Sequence, residues 1–188
     1  MNDLKTSLIT WTTYGTWLPG DMRGWRKRRN GEQLPRPLLE RWCREQMTGD
    51  VVLLSPSDRQ TVEEACIEHC EFRRWHLLAV SARSNHVHVV VAADEKPQKV
   101  RDQLKANCTR RLRTQTVPLI AERTWTRGGD CSILDTDDEI EAAVLYVKEA
   151  QDRKHLDAEA DPPGASAFGA EGPTLARSAH GRKSDDIQ

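Results

Sequence analysis

His86-Val87-His88 sits inside the run Asn85-His86-Val87-His88-Val89-Val90-Val91, whose β-branched residues read as a strand. Successive side chains on a strand alternate faces, so the two imidazoles project to one side roughly 6–7 Å apart at the Cα, and Val87, Val89 and Val91 project to the other. Two neutral imidazoles at that spacing can grip one divalent metal ion, a common use of paired histidines. The other reading is a pair of half-buried histidines, each satisfied by a hydrogen-bond partner.

The elements that must position this pair are bounded first by composition. The chain has 188 residues, enough for one domain and a tail. No stretch of about 18 apolar residues occurs and the first residues lack a signal-peptide pattern, so no membrane partner and a cytoplasmic location are expected. Five cysteines, Cys43, Cys66, Cys70, Cys108 and Cys131, form no CxxC pair, which points to reduced thiols. Cys66, His69 and Cys70 could be drawn as a zinc cluster, but a helix face explains them equally and no fourth ligand is evident.

A net charge of −1 averages over segments of opposite sign. Arg23, Arg26, Lys27, Arg28 and Arg29 crowd one short stretch around Trp25, and Arg101, Lys105, Arg110, Arg111 and Arg113 form a second basic cluster. Acidic residues collect between Asp135 and Glu141 and near the end of the chain. The basic surfaces suit a phosphate backbone, with ordinary solvated faces as the alternative.

Leu8 to Tyr14 has strand composition. Gly15, Pro19 and Gly20 end it and open a basic, proline-punctuated insertion over about residues 19–56. Ser57-Asp58-Arg59-Gln60 has capping-box form and starts a helix running to Arg74. Trp75 to Ala82 and His86 to Ala92 read as a hairpin. Pro97 opens a basic helix to about Gln115 with Val100, Leu104 and Leu112 as its apolar points. Trp125-Thr126-Arg127 and Cys131 to Leu134 read as short strands. Thr136, with Glu139 three residues on, caps a last helix whose Ile140, Val144 and Val147 face the core. Beyond about Leu156 the composition is that of a disordered tail. The expectation is one domain over residues 1–156 and a tail over 157–188. Its order of elements suits an α+β, ferredoxin-like sandwich: a mostly antiparallel sheet with helices on one face.

Arg83-Ser84-Asn85-His86-Val87-His88-Val89, followed by Tyr146 on the last helix and preceded by Trp17-Leu18-Pro19-Gly20-Asp21 after the first strand, resembles the HUH single-tyrosine transposases, in particular the REP-associated tyrosine transposases. The resemblance spans about Leu8 to Gln151. It implies a partner of single-stranded DNA beside a hairpin, Mg²⁺ or Mn²⁺ held by His86 and His88, and tyrosine attack on a phosphodiester. The chemistry is consistent: a metal on a phosphate oxygen withdraws charge, and a phenol oxygen is a competent covalent nucleophile. The protein would act on the nucleoid when DNA is bound, as a monomer or a homodimer.

The chain has only two tyrosines, Tyr14 and Tyr146. Tyr14 ends the first strand, where packing or base stacking suits it. Tyr146 lies ~100° or more from the centre of the stripe set by Ile140, Val144 and Val147, so its hydroxyl can point beside the sheet. The resemblance implies a third ligand, Gln or Asn, four residues after the tyrosine, and here that position is Ala150. Gln151 shares the angular face of the core stripe and is preferred; Glu149 is the alternative. The same resemblance implies DNA contacts from the basic helix and the insertion, with Trp17, Trp25 and Trp125 available for stacking and Trp11 and Trp75 kept for the core. Two other functions remain open at this level. One is a non-catalytic hairpin-binding regulator of the same fold. The other is a two-histidine phosphoesterase, which needs a second His-x-Thr/Ser motif that His69, His76, His155 and His180 do not supply.

Overall fold

The structure, a computed structural model, describes residues 4–27 and 30–150. Along them run strand β1 (Lys5–Thr12), the small hairpin β2 (Trp25–Lys27) and β3 (Gly31–Gln33), helix α1 (Pro37–Glu45), helix α2 (Pro56–Arg73), strands β4 (His76–Ala82) and β5 (His86–Ala93), helix α3 (Pro97–Thr114), strand β6 (Asp130–Leu134) and helix α4 (Asp137–Leu145), which continues into a π-helical turn over Tyr146–Ala150. The tail expected from residue 157 lies outside the described residues, as do Arg28, Arg29 and Gln151. Among the described residues no helix is long and apolar enough to cross a membrane.

The main sheet has the order β4-β5-β1-β6, and every pairing in it is antiparallel. With the insertion set aside, the elements run β1, α2, β4, β5, α3, β6 around a central β1. This is the expected α+β, ferredoxin-like arrangement. Strand alternation divides its side chains between two cores. On one face Ile9, Trp11, Val87, Val89 and Val91 meet Val62, Ala65, Cys66 and Cys70 of α2 and Val100, Leu104, Cys108 and Leu112 of α3. On the other, Leu8, Ala79, Val90 and Leu134 meet Ala143, Val144 and Val147. The two long helices thus share a face. The short α4, delivered by the Asp135-Thr136 connection after edge strand β6, covers part of the opposite one.

Local chemistry explains where the boundaries differ from expectation. The α2 capping box uses Ser55 rather than Ser57: the Ser55 hydroxyl accepts from the Asp58 amide, and the Ser55 N–H donates to the Asp58 carboxylate. Pro56, which has no N–H to give, fills the first helical position. The α4 box on Thr136 and Glu139 forms as expected. The insertion holds a hairpin and a helix. Gly20 lets α1 approach, since at φ +95° a Cβ there would stand 2.5 Å from the Arg36 carbonyl oxygen, whose amide donates to the Gly20 carbonyl. Trp125-Thr126-Arg127 makes a single bridge, Thr13 to Trp125, instead of a strand. The Thr126 and Gly128 carbonyls are instead taken by Lys105 Nζ at 2.6 and 2.7 Å.

Candidate active site

The antiparallel register places Thr10 of β1 opposite His88 and Thr12 opposite His86, with Ser81 of β4 on the far side of His88. Cross-strand partners share a face, so these polar residues surround the imidazoles by construction. The Thr10 hydroxyl lies 2.7 Å from His88 Nδ1. His86 Nδ1 lies 2.6 Å from Asn85 Oδ1. A carboxamide oxygen only accepts, so His86 Nδ1 carries the proton and Nε2 keeps its lone pair. The two rings are edge-on with centroids 4.8 Å apart. The π turn then lays the Tyr146 ring edge-on against His88 at 5.5 Å. Val147, 1 % exposed, anchors that turn in the smaller core, while Tyr146 itself is 40 % exposed. Tyr14 is engaged elsewhere: its hydroxyl accepts from the Thr48 amide and its ring lies beneath Arg123.

Burial holds the His88 imidazole far below the usual histidine range, at about 3, with smaller contributions from the positive character of His86 and Arg83. It is therefore neutral at physiological pH, the state that binds metal. Two same-face imidazoles, one of them neutral by burial and both held through Nδ1, fit a divalent cation. Among the described residues no group of three His, Cys, Asp or Glu side chains could hold a metal ion. Ala150 has no donor atom, Glu149 is exposed and Gln151 lies outside the described residues. The regular 100° spacing assumed for Gln151 does not apply at this helix end. Over Tyr146–Ala150 the helix closes i→i+5 rather than i→i+4.

A family model described as "Transposase IS200 like" matches residues 51–150, more than half of the chain. The chain belongs to the IS200-like transposase family. The matched span contains His86, His88 and Tyr146 and leaves out β1, β2, β3 and α1. No curated protein matches. A solved structure, that of the REP associates tyrosine transposase bound to a REP hairpin, is 12 % identical with a TM-score of 0.49, over 80 % of this chain and 68 % of that one.

In this IS200-like transposase six of the basic residues singled out above, Arg23, Arg101, Lys105, Arg110, Arg111 and Arg113, have partners within the fold. Arg101, with its side chain 12 % exposed, donates to the Gly129 carbonyl and pairs with Asp102. Lys105 is pushed down to about 8, chiefly by burial. Both pin the loop leading to β6. Arg23 pairs with Asp21, donates to the Thr16 carbonyl and covers the Trp17 ring, so it too organises a loop. Arg110 donates to Asn107, Arg111 to Glu68 and Arg113 to the Ala121 carbonyl from exposed positions on α3, a helix packed on the sheet face opposite the histidines. Arg26 and Lys27 lie in β2. Trp25 Nε1 donates to the Leu34 carbonyl. Trp125 packs edge-on against Trp11 and donates to Thr109, which makes it part of the core rather than a stacking platform. Trp11 and Trp75 are buried, as expected. The Cys66, His69 and Cys70 group is not a metal cluster: Cys66 Sγ faces Cys108 Sγ at 3.6 Å in the core, and His69 pairs with Gln103. Sequence reasoning missed Thr10 and Asn85 as partners of the histidines. The alternation Thr10, Thr12 on β1 was the available signal.

Proposed function

We propose that this transposase is a metal-dependent single-strand endonuclease and strand transferase that cuts DNA beside a hairpin and holds the cut end on Tyr146. The observation that carries this reading is the Tyr146 ring lying against His88, on the same sheet face as His86. His86 and His88 would hold Mg²⁺ or Mn²⁺ through Nε2. When bound, that ion withdraws charge from a phosphate oxygen that would otherwise repel a nucleophile. Tyr146 Oη attacks phosphorus; the Oη–P bond forms, the P–O3′ bond breaks, the phenolic proton leaves to water and the departing 3′-oxygen gains a proton. The products are a 5′-phosphotyrosine and a free 3′-hydroxyl, whose return attack rejoins strands without ATP.

Gln151, which lies outside the described residues, serves as the third ligand. Its amide oxygen is a hard donor suited to Mg²⁺ or Mn²⁺. The basic insertion, with Arg26, Lys27, Arg28, Arg29 and Trp25, and Arg110, Arg111 and Arg113 of α3 contact the DNA. Arg23, Arg101 and Lys105 hold the loops that frame it. The test is cleavage of labelled single-stranded oligonucleotides with and without an adjacent hairpin, in Mn²⁺ and in EDTA. Mn²⁺-dependent nicking of the hairpin-flanked strand, with a denaturant-stable protein–DNA band, is expected. Binding without cleavage would instead identify a hairpin-binding regulator.

A further inference from the structure

We infer that Trp17 is a pre-set stacking shelf for one unpaired base of the substrate strand, placed beside His86 and backed by the Arg23 guanidinium. This rests on the reading of the protein as a single-strand endonuclease and adds where a base is held. Trp11 and Trp75 are buried and Trp125 packs against Trp11, but Trp17 stays 46 % exposed. It is nevertheless held in place. Its Nε1–H donates to the Gly24 carbonyl at 2.8 Å, and the Arg23 guanidinium carbon lies 5.2 Å from the ring centroid. Arg23 is fixed in turn: its Nε and Nη2 donate to the two Asp21 carboxylate oxygens at 2.9 and 2.7 Å, and Nη2 also donates to the Thr16 carbonyl at 2.8 Å. Asp21 itself is buried.

An indole whose one polar atom is already satisfied has only its π surface left to offer, and a flat partner suits that surface best. A ring that is already held loses little freedom on binding, so the contact carries a small ordering cost. Every base has a flat face, and with the guanidinium on one side of the indole a single base completes a guanidinium–indole–base stack. The occupant is nucleic acid rather than a protein aromatic because the same short stretch carries Arg23, Arg26 and Lys27, which draw a polyanion. Its place follows from the backbone. Thr16, next to Trp17 in sequence, donates its hydroxyl to the Thr13 carbonyl at 2.9 Å and to the Asn85 carbonyl at 3.4 Å, and Asn85 immediately precedes His86. The stacked base is therefore a near neighbour of the phosphate that Tyr146 attacks.

Two measurements are made on the full chain. Fluorescence anisotropy compares binding of an oligothymidine with binding of a strand of the same length whose bases are replaced by abasic sites, so that the phosphates are equal and only the bases differ. The wild type is expected to prefer the thymidine strand. Trp17→Leu, which keeps apolar bulk but removes the flat ring, should shrink that preference about fivefold or more and leave affinity for the abasic strand unchanged, while Trp17→Phe keeps most of the preference. The second measurement needs no variant: irradiation of the wild type with a strand containing 5-bromodeoxyuridine should place the cross-link on Trp17. Equal wild-type affinity for the two strands, an undiminished preference in a folded Trp17→Leu, or cross-links only to other residues overturns the shelf. If the protein still cuts hairpin-flanked DNA in that event, the endonuclease reading stands without it. A wild type that binds neither strand overturns the single-strand reading itself.

Discussion

Strand β5 faces two different environments, and the difference shows how one segment builds both a core and a site. Val87, Val89 and Val91 enter an apolar core against α2 and α3 that also holds Cys66, Cys70 and Cys108. His86 and His88, their immediate neighbours, face threonines, a serine, an asparagine and Tyr146 on the side that α4 only partly covers. The first face resists change because every methyl is packed. The second tolerates polar groups because each histidine has a fixed partner, and it leaves Tyr146 within reach of solvent and substrate.

The contrast is broken most strongly by substitution on either side. His86→Ala with His88→Ala should reduce nicking below detection and abolish thermal stabilisation by Mn²⁺, while the metal-free protein still melts cooperatively. Leu104→Ala, in the fully buried core, should cost about 2–5 kcal/mol in urea unfolding and leave the chemistry of the folded fraction intact. If the histidine variant melts like the leucine one, the two faces are not functionally distinct.

A smaller effect separates structural cations from DNA-contacting ones. Lys105→Met leaves the Thr126 and Gly128 carbonyls without their donor and should lower stability by about 1–3 kcal/mol, with the salt dependence of DNA binding unchanged. Neutralising Arg110, Arg111 and Arg113 should do the reverse, flattening the fall in affinity between 50 and 200 mM salt with little change in melting. A steeper loss of DNA affinity in Lys105→Met than in the triple variant would reverse this division.

A further effect is on pH. His88 titrates near 3 in the folded chain and near the ordinary histidine value once unfolded, so between those values the unfolded state binds more protons. In EDTA the wild type should therefore lose stability as pH falls from 6.5, by up to about 1.4 kcal/mol per pH unit from this residue. His88→Gln should lack that share. An identical pH dependence in the two proteins would mean that His88 is not held neutral.

What could be read in advance follows from how local the cause is. Alternation in β5, the Thr136 capping box and the apolar spacing of α3 are short-range patterns, and they placed the sheet, the long helices and the histidine pair. Three features depended on tertiary partners. In the insertion, α1 does carry an amphipathic pattern in Leu38, Leu39, Trp42 and Cys43, but it buries none of its residues, and the proline-punctuated segment read as an irregular insertion. Arg101 and Lys105 looked like phosphate ligands because nothing in a sequence shows that the carbonyls of a distant loop will claim them. The helix end around Tyr146 read as regular, and it closes instead as a π turn over Tyr146–Ala150, which no residue pattern signalled.

The central claim is a covalent bond from Tyr146 to DNA, and the most direct measurement is peptide mass mapping after Mn²⁺-dependent reaction with a hairpin-flanked single strand and nuclease trimming. The account predicts nucleotide mass on the peptide carrying Tyr146 and none on that carrying Tyr14, with both adduct and cleavage lost in Tyr146→Phe while binding persists. Adduct mass on Tyr14, or undiminished cleavage in Tyr146→Phe, would contradict it.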